Sequence, residues 1–69
     1  MKITPHELAE MLGINLKIIC REDEVRGTYV SRKCYEKLKL LAKQRGINIS
    51  ATPIGAPLGY LTIYIRKKT

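Results

Sequence analysis

The longest stretch with helical spacing of apolar positions runs from Ser31 to Gly46. Over it Cys34, Tyr35, Leu38, Leu41 and Ala42 fall on one arc of about 120° at about 100° per residue. The opposite arc carries Arg32, Lys33, Glu36, Lys37, Lys39 and Lys43. Ser31 stands at the N-cap, Val30 and Tyr35 at the two positions of a hydrophobic staple, and Gly46 where a C′ glycine ends a helix. The pattern predicts a long amphipathic helix joining an apolar seam to a basic surface.

A second helix is predicted nearer the start. Thr4 is its N-cap, Pro5 its first residue, Glu7 the partner in a capping box, and Ile3 with Leu8 a staple. It should run to about Leu12 and stop at Gly13, with Leu8, Met11 and Leu12 inward. After Gly46 the period drops to two: Ile47, Ile49 and Ala51 alternate with polar residues, and so do Leu61, Ile63 and Ile65. The turn-rich connection Pro53–Gly59 makes these a β-hairpin with a long loop. Thr28–Val30 has strand character, Gly27 marks a tight bend, and the acidic run Glu22–Glu24 reads as a turn with room for one helical turn.

Residues 14–21 admit two readings. As a strand they turn Leu16, Ile18 and Cys20 inward and Asn15, Lys17 and Arg21 outward, which suits the β-branched content. As a short helix they offer Asn15, Lys17 and Arg21 to a ligand. The strand accounts for the composition better, and both readings are carried forward.

At 69 residues the chain is expected to be one domain, near the lower limit for a self-sufficient apolar core. It lacks Phe and Trp, so branched aliphatic side chains must fill that core. No apolar run approaches a membrane span and no signal-peptide layout opens the chain, so a cytoplasmic protein is expected. Cys20 and Cys34 lack metal-ligand spacing and read as small buried hydrophobes in a reducing compartment, a bridge between them being the alternative. His6, the single histidine, should face solvent; alone it rules out a His-based metal site or a histidine dyad.

Charge changes the picture most. The net charge is +7, but residues 1–30 sum to −1, whereas residues 31–69 set nine Lys or Arg against Glu36 alone and sum to +8. Such asymmetry marks a surface for a polyanion, most often nucleic acid. Arg32 and Lys33 sharpen this, because the first turn of a helix already carries partial positive charge and its open N–H groups suit a phosphate.

Glu7–Asn15 resembles the first helix and turn of helix-turn-helix DNA-binding domains. Ala9 is the small residue against which a second helix packs, Gly13 marks the turn, and Ile14 and Ile19 take the apolar positions that follow. The resemblance covers about residues 5–21. It departs from the motif at Leu16 and Ile18, where exposed polar residues belong. The later order of helix then hairpin is similar to the back half of a winged helix, whose middle helix would have to come from Arg21–Arg26. The resemblance implies a helix in the major groove contacting DNA through Arg32, Lys33, Tyr35, Lys37 and Lys39, with the hairpin laid on the backbone or minor groove. Tyr35 also borders the apolar arc and suits the core.

The fold expected is therefore a small α+β winged helix-turn-helix-like domain spanning residues 1–69: an N-terminal helix, a short strand or second helix, a long basic helix and a C-terminal hairpin. The function expected is sequence-specific binding of double-stranded DNA by a small, nucleoid-associated transcriptional regulator. Arg32, Lys33, Lys37, Lys39, Lys43, Lys17, Arg21, Tyr64, Arg66 and Lys67 are its candidate contacts. Two alternatives stand beside it. Tyr60 and Tyr64 with Arg66, Lys67 and Lys68 could stack on RNA, or merely shield the sheet beside Asn48, Ser50 and Thr52. The uncharged tip at Ile54–Leu58 could serve a protein partner or a second copy of the chain. No motif suggests an enzyme, a cofactor or a metal.

Overall fold

The computed structural model describes residues 1–66. Lys67 and Lys68, expected to extend the basic edge of the hairpin, lie outside the described residues. The architecture is α+β, with an antiparallel sheet and three helices among the described residues. In chain order the elements are β1 (Lys2–Ile3), α1 (Pro5–Leu12), α2 (Leu16–Ile19), a 3₁₀ turn (Glu22–Glu24), β2 (Val25–Arg26), β3 (Tyr29–Ser31), α3 (Arg32–Gln44), β4 (Asn48–Thr52) and β5 (Tyr60–Arg66).

Helix α1 forms where its signals place it. The Thr4 hydroxyl accepts from the Glu7 N–H at 3.1 Å, and the Glu7 carboxylate accepts from the Thr4 N–H at 3.1 Å. Gly13 ends it at φ 66°, a left-handed conformation that glycine adopts without steric cost. Pro5, Leu8, Ala9 and Leu12 are buried, an i, i+3, i+4, i+7 set. Met11, expected inward, is 51% exposed because it lies outside that arc.

The strand favoured at residues 14–21 is instead the single helical turn α2. Asn15 decides it: its Oδ1 accepts from the Lys17 N–H at 3.0 Å as an N-cap. Leu16 and Cys20 are buried while Ile18 is 78% exposed, so the buried spacing is i, i+4 and not i, i+2. The acidic run forms the single helical turn its turn character leaves room for, and Arg21–Arg26 holds no longer helix of the kind a winged helix would place there. A three-residue 3₁₀ turn forms there, its Glu24 carboxylate accepting from the Arg21 N–H at 2.7 Å, and the chain then enters β2. Gly27, at φ 62°, and Thr28 close a two-residue turn between β2 and β3, pairing Val25 with Val30 and Arg26 with Tyr29.

Strand β5 organises the sheet. It pairs with β4 along one edge, and with β3 and then β1 along the other. Its inner face presents Leu61, Ile63 and Ile65; the outer face presents Tyr60, Thr62, Tyr64 and Arg66. Helix α3 covers the inner face. Its buried Cys34, Leu38 and Ala42 share one apolar cluster with Val30, Ile49 and Ile63 of the sheet, Leu8, Ala9 and Leu12 of α1, and Leu16 of α2. Leu38 is fully buried, a position where truncation to alanine costs about 2–5 kcal/mol.

Cys20 and Cys34 are not free thiols. They form a disulfide with a Cα–Cα distance of 5.3 Å, joining the end of α2 to the first turn of α3. Both halves are buried, at 2% and 0% exposure. Reduced thiols therefore no longer argue for a reducing compartment, since such bridges belong to oxidising surroundings or to the interiors of hyperthermophiles.

Candidate nucleic-acid interface

Helix α3 is placed by its ends and its seam. The Ser31 hydroxyl accepts from the Cys34 N–H at 3.3 Å, and Gly46 takes φ 73° just past the C-cap Arg45. With Leu38 and Ala42 fixed on the core, Arg32, Lys33, Glu36, Lys37, Lys39 and Lys43 are all exposed. Among the described residues the ion pair is Arg21–Asp23, at 3.8 Å between exposed side chains. The acids of the first thirty residues therefore make no ion pair with α3.

The six cations of this segment are not equivalent. Lys37 lies on one shoulder of the helix, where its Nζ donates to the Ile19 carbonyl at 3.3 Å. Lys39 lies on the other, with Nζ 5.9 Å from the centre of the Tyr35 ring. Arg45 is turned back toward α1: its Nη1 sits 3.6 Å from where a side chain on Gly13 would begin. A cation there complements the C-terminal end of α1. The outward strip is left to Arg32, Lys33, Glu36 and Lys43. Leu40 lies in the middle of it, 60% exposed, on the side opposite Leu38. Sequence reading passed over Leu40; its signal was an apolar residue two positions from a core leucine on a helix.

The pairing of Ser31 with Tyr60 brings the start of β5 beside the N-cap of α3. The loop Pro53–Gly59 consequently lies at the same end of the molecule as the first turn of α3. Ile54 and Leu58 stand in that loop at 82% and 101% exposure. Arg66 is at the opposite end, paired with Asn48 and exposed, while Tyr64 is half-buried between Lys2 and Ser50.

The candidates on and after α2 are more constrained. Asn15 spends its side-chain oxygen on the α2 cap, and Arg21 leans toward Asp23. Lys17 is exposed. Together with His6, Glu10 and Glu22 they rim an open groove between α1, α2 and β2, with Ala9, Leu16 and Val25 toward its floor. Glu10 and Glu22 share that rim with Lys17 and Arg21, so it lacks the cationic excess of α3, where Glu36 alone is acidic.

Among the described residues no helix is long and apolar enough to cross a membrane, and no group of His, Cys, Asp or Glu could hold a metal ion. Compared with protein-family models, curated proteins and solved structures, the chain matches none.

Proposed function

We propose that the protein binds double-stranded DNA through the outward strip of α3, as a small regulator of transcription. The observation that carries this reading is the exposed row of Arg32, Lys33 and Lys43 on α3, with no ion-pair partner among the described residues. Arg32 and Lys33 sit where open helix N–H groups and the macrodipole add to their attraction for a phosphate. A 13-residue helix with one face in the core has the dimensions to enter a major groove. Leu40 fits an apolar contact with a thymine methyl group, and the flanking cations fit the phosphates on either side.

On this reading Lys37 and Lys39 steady α3 and its neighbours more than they touch DNA, and the loop bearing Ile54 and Leu58 approaches the same duplex from the helix start. The test is a titration of labelled duplex DNA at several salt concentrations. Affinity should fall steeply with salt, and Arg32→Glu with Lys33→Glu should weaken binding at low salt and flatten the slope by about 2. Binding that ignores both salt and this pair of substitutions excludes the reading.

A further inference from the structure

The outer face of the sheet stands apart from the apolar cluster. The apolar cluster that unites all three helices with the sheet contains Ile3, Val30, Ile49 and Ile63, and no residue of the outer face. Register assembles that face from distant parts of the chain. Tyr29 on β3 pairs with Thr62, and Arg26 pairs with Tyr29. Lys2 pairs with Tyr64, and Tyr60 and Arg66 lie on the same side of β5. Thr62 is only 3% exposed although it belongs to this outer row, because aromatic neighbours flank it along and across the strands.

Three half-buried tyrosines therefore lie together on this face, with Lys2, Arg26 and Arg66 exposed around Tyr29 and Tyr64 and the exposed Glu22–Asp23 turn beside Tyr60. No aspartate or glutamate occurs in any of the five strands. Tyr60 is anchored, its hydroxyl donating to the Asp23 carbonyl at 2.7 Å. Among the described residues the hydroxyls of Tyr29 and Tyr64 make no hydrogen bond, so nothing in the fold requires them to be tyrosine. Tyr29 stands opposite Thr62, so Tyr64 is its diagonal neighbour at about 7–8 Å, a spacing that successive bases of an extended strand can bridge.

We infer that this face is a second nucleic-acid surface, specific for single strands, on which bases stack on Tyr29 and Tyr64 while Lys2, Arg26 and Arg66 hold the phosphates. Stacking is indifferent to base identity, and the cations match the backbone charge. The surface lies across the sheet from α3, so the two sites work independently. It does not rest on the duplex reading.

The experiment titrates the full chain with 12-nucleotide single strands, oligo(U) and oligo(dT), following tyrosine fluorescence and anisotropy. Saturable binding with quenching is expected. Tyr64→Ala should weaken it roughly 5- to 100-fold, and Tyr64→Phe should leave it within about twofold, since the ring does the stacking. Tyr29→Ala is checked by circular dichroism for retained fold and should behave like Tyr64→Ala. A preference for oligo(U) over oligo(dT) identifies RNA as the source, and equal binding identifies single strands generally. Arg32→Glu with Lys33→Glu should abolish duplex binding and spare single-strand binding, so the two readings can fail separately. Absence of single-strand binding, or binding unchanged in Tyr64→Ala, overturns the inference.

Discussion

Lys37 of α3 donates its ammonium to the carbonyl of Ile19, the last residue of α2, at 3.3 Å. The contact spans 18 residues of sequence and satisfies a carbonyl that a one-turn helix leaves open. A cation at a helix C-terminus is also favourably placed against its dipole. Lys37→Met should therefore lower stability by about 0.5–1 kcal/mol in urea denaturation. Its effect on duplex affinity should be smaller than that of Lys33→Met or Lys43→Met. A larger loss of affinity with unchanged stability would show that Lys37 contacts DNA.

The bridge between Cys20 and Cys34 fixes the same two helices covalently, closing a loop with a sequence separation of 14. Constraining a loop of that size in the unfolded chain contributes about 3 kcal/mol. Cys20→Ala with Cys34→Ala should lower the melting temperature by roughly 12–24 °C for a domain of this size. Because both sulfurs are buried, mild reductant should act slowly on the folded protein and quickly in denaturant. Mass spectrometry after alkylation in denaturant checks the premise: two labelled cysteines in freshly purified protein would mean that the bridge does not form.

Leu40 separates affinity from stability. It is 60% exposed and outside the apolar cluster, so Leu40→Ser should change the unfolding free energy by less than about 0.5 kcal/mol. If it meets a thymine methyl, the same substitution should reduce discrimination at one base position by about 1 kcal/mol. Selection from a random duplex library, compared between the two proteins, reads this directly. An unchanged preference would leave recognition to phosphate contacts alone.

Much of the frame was legible from local signals. Thr4 with Glu7, Ser31, Gly13 and Gly46 marked the ends of α1 and α3, and strict alternation marked β4 and β5. Residues 14–21 stay divided between strand and helix on sequence because β-branched composition favours the strand, while the Asn15 cap, a single residue, sets the helical turn. β1 could not be seen: two residues have no period, and Lys2–Ile3 become a strand only through Tyr64 and Ile63. The cystine was equally silent, since two cysteines give spacing but no distance. For the candidate interface, the cations of α3 were visible, but their division into outward and inward roles was not. That division comes from Ile19, Tyr35 and Gly13, which lie beside α3 or within it. Tyr29 was missed as a companion of Tyr60 and Tyr64 because only register brings it to Thr62.

The dependence of the sheet on β5 has a kinetic side. Only the ribbon of β2 and β3 pairs without it; β1, β3 and β4 all wait for Tyr60–Arg66 to arrive. The bond between the Met1 carbonyl and the Ile65 N–H, at 2.8 Å, joins opposite ends of the chain. The β2–β3 and β4–β5 ribbons close across short turns, whereas joining them through β3 and β1 means closing wide loops, and that step slows folding. A collapsed form with α1, α3 and the two local ribbons present, but β1 and β3 not yet on β5, is the species to seek in refolding at early times.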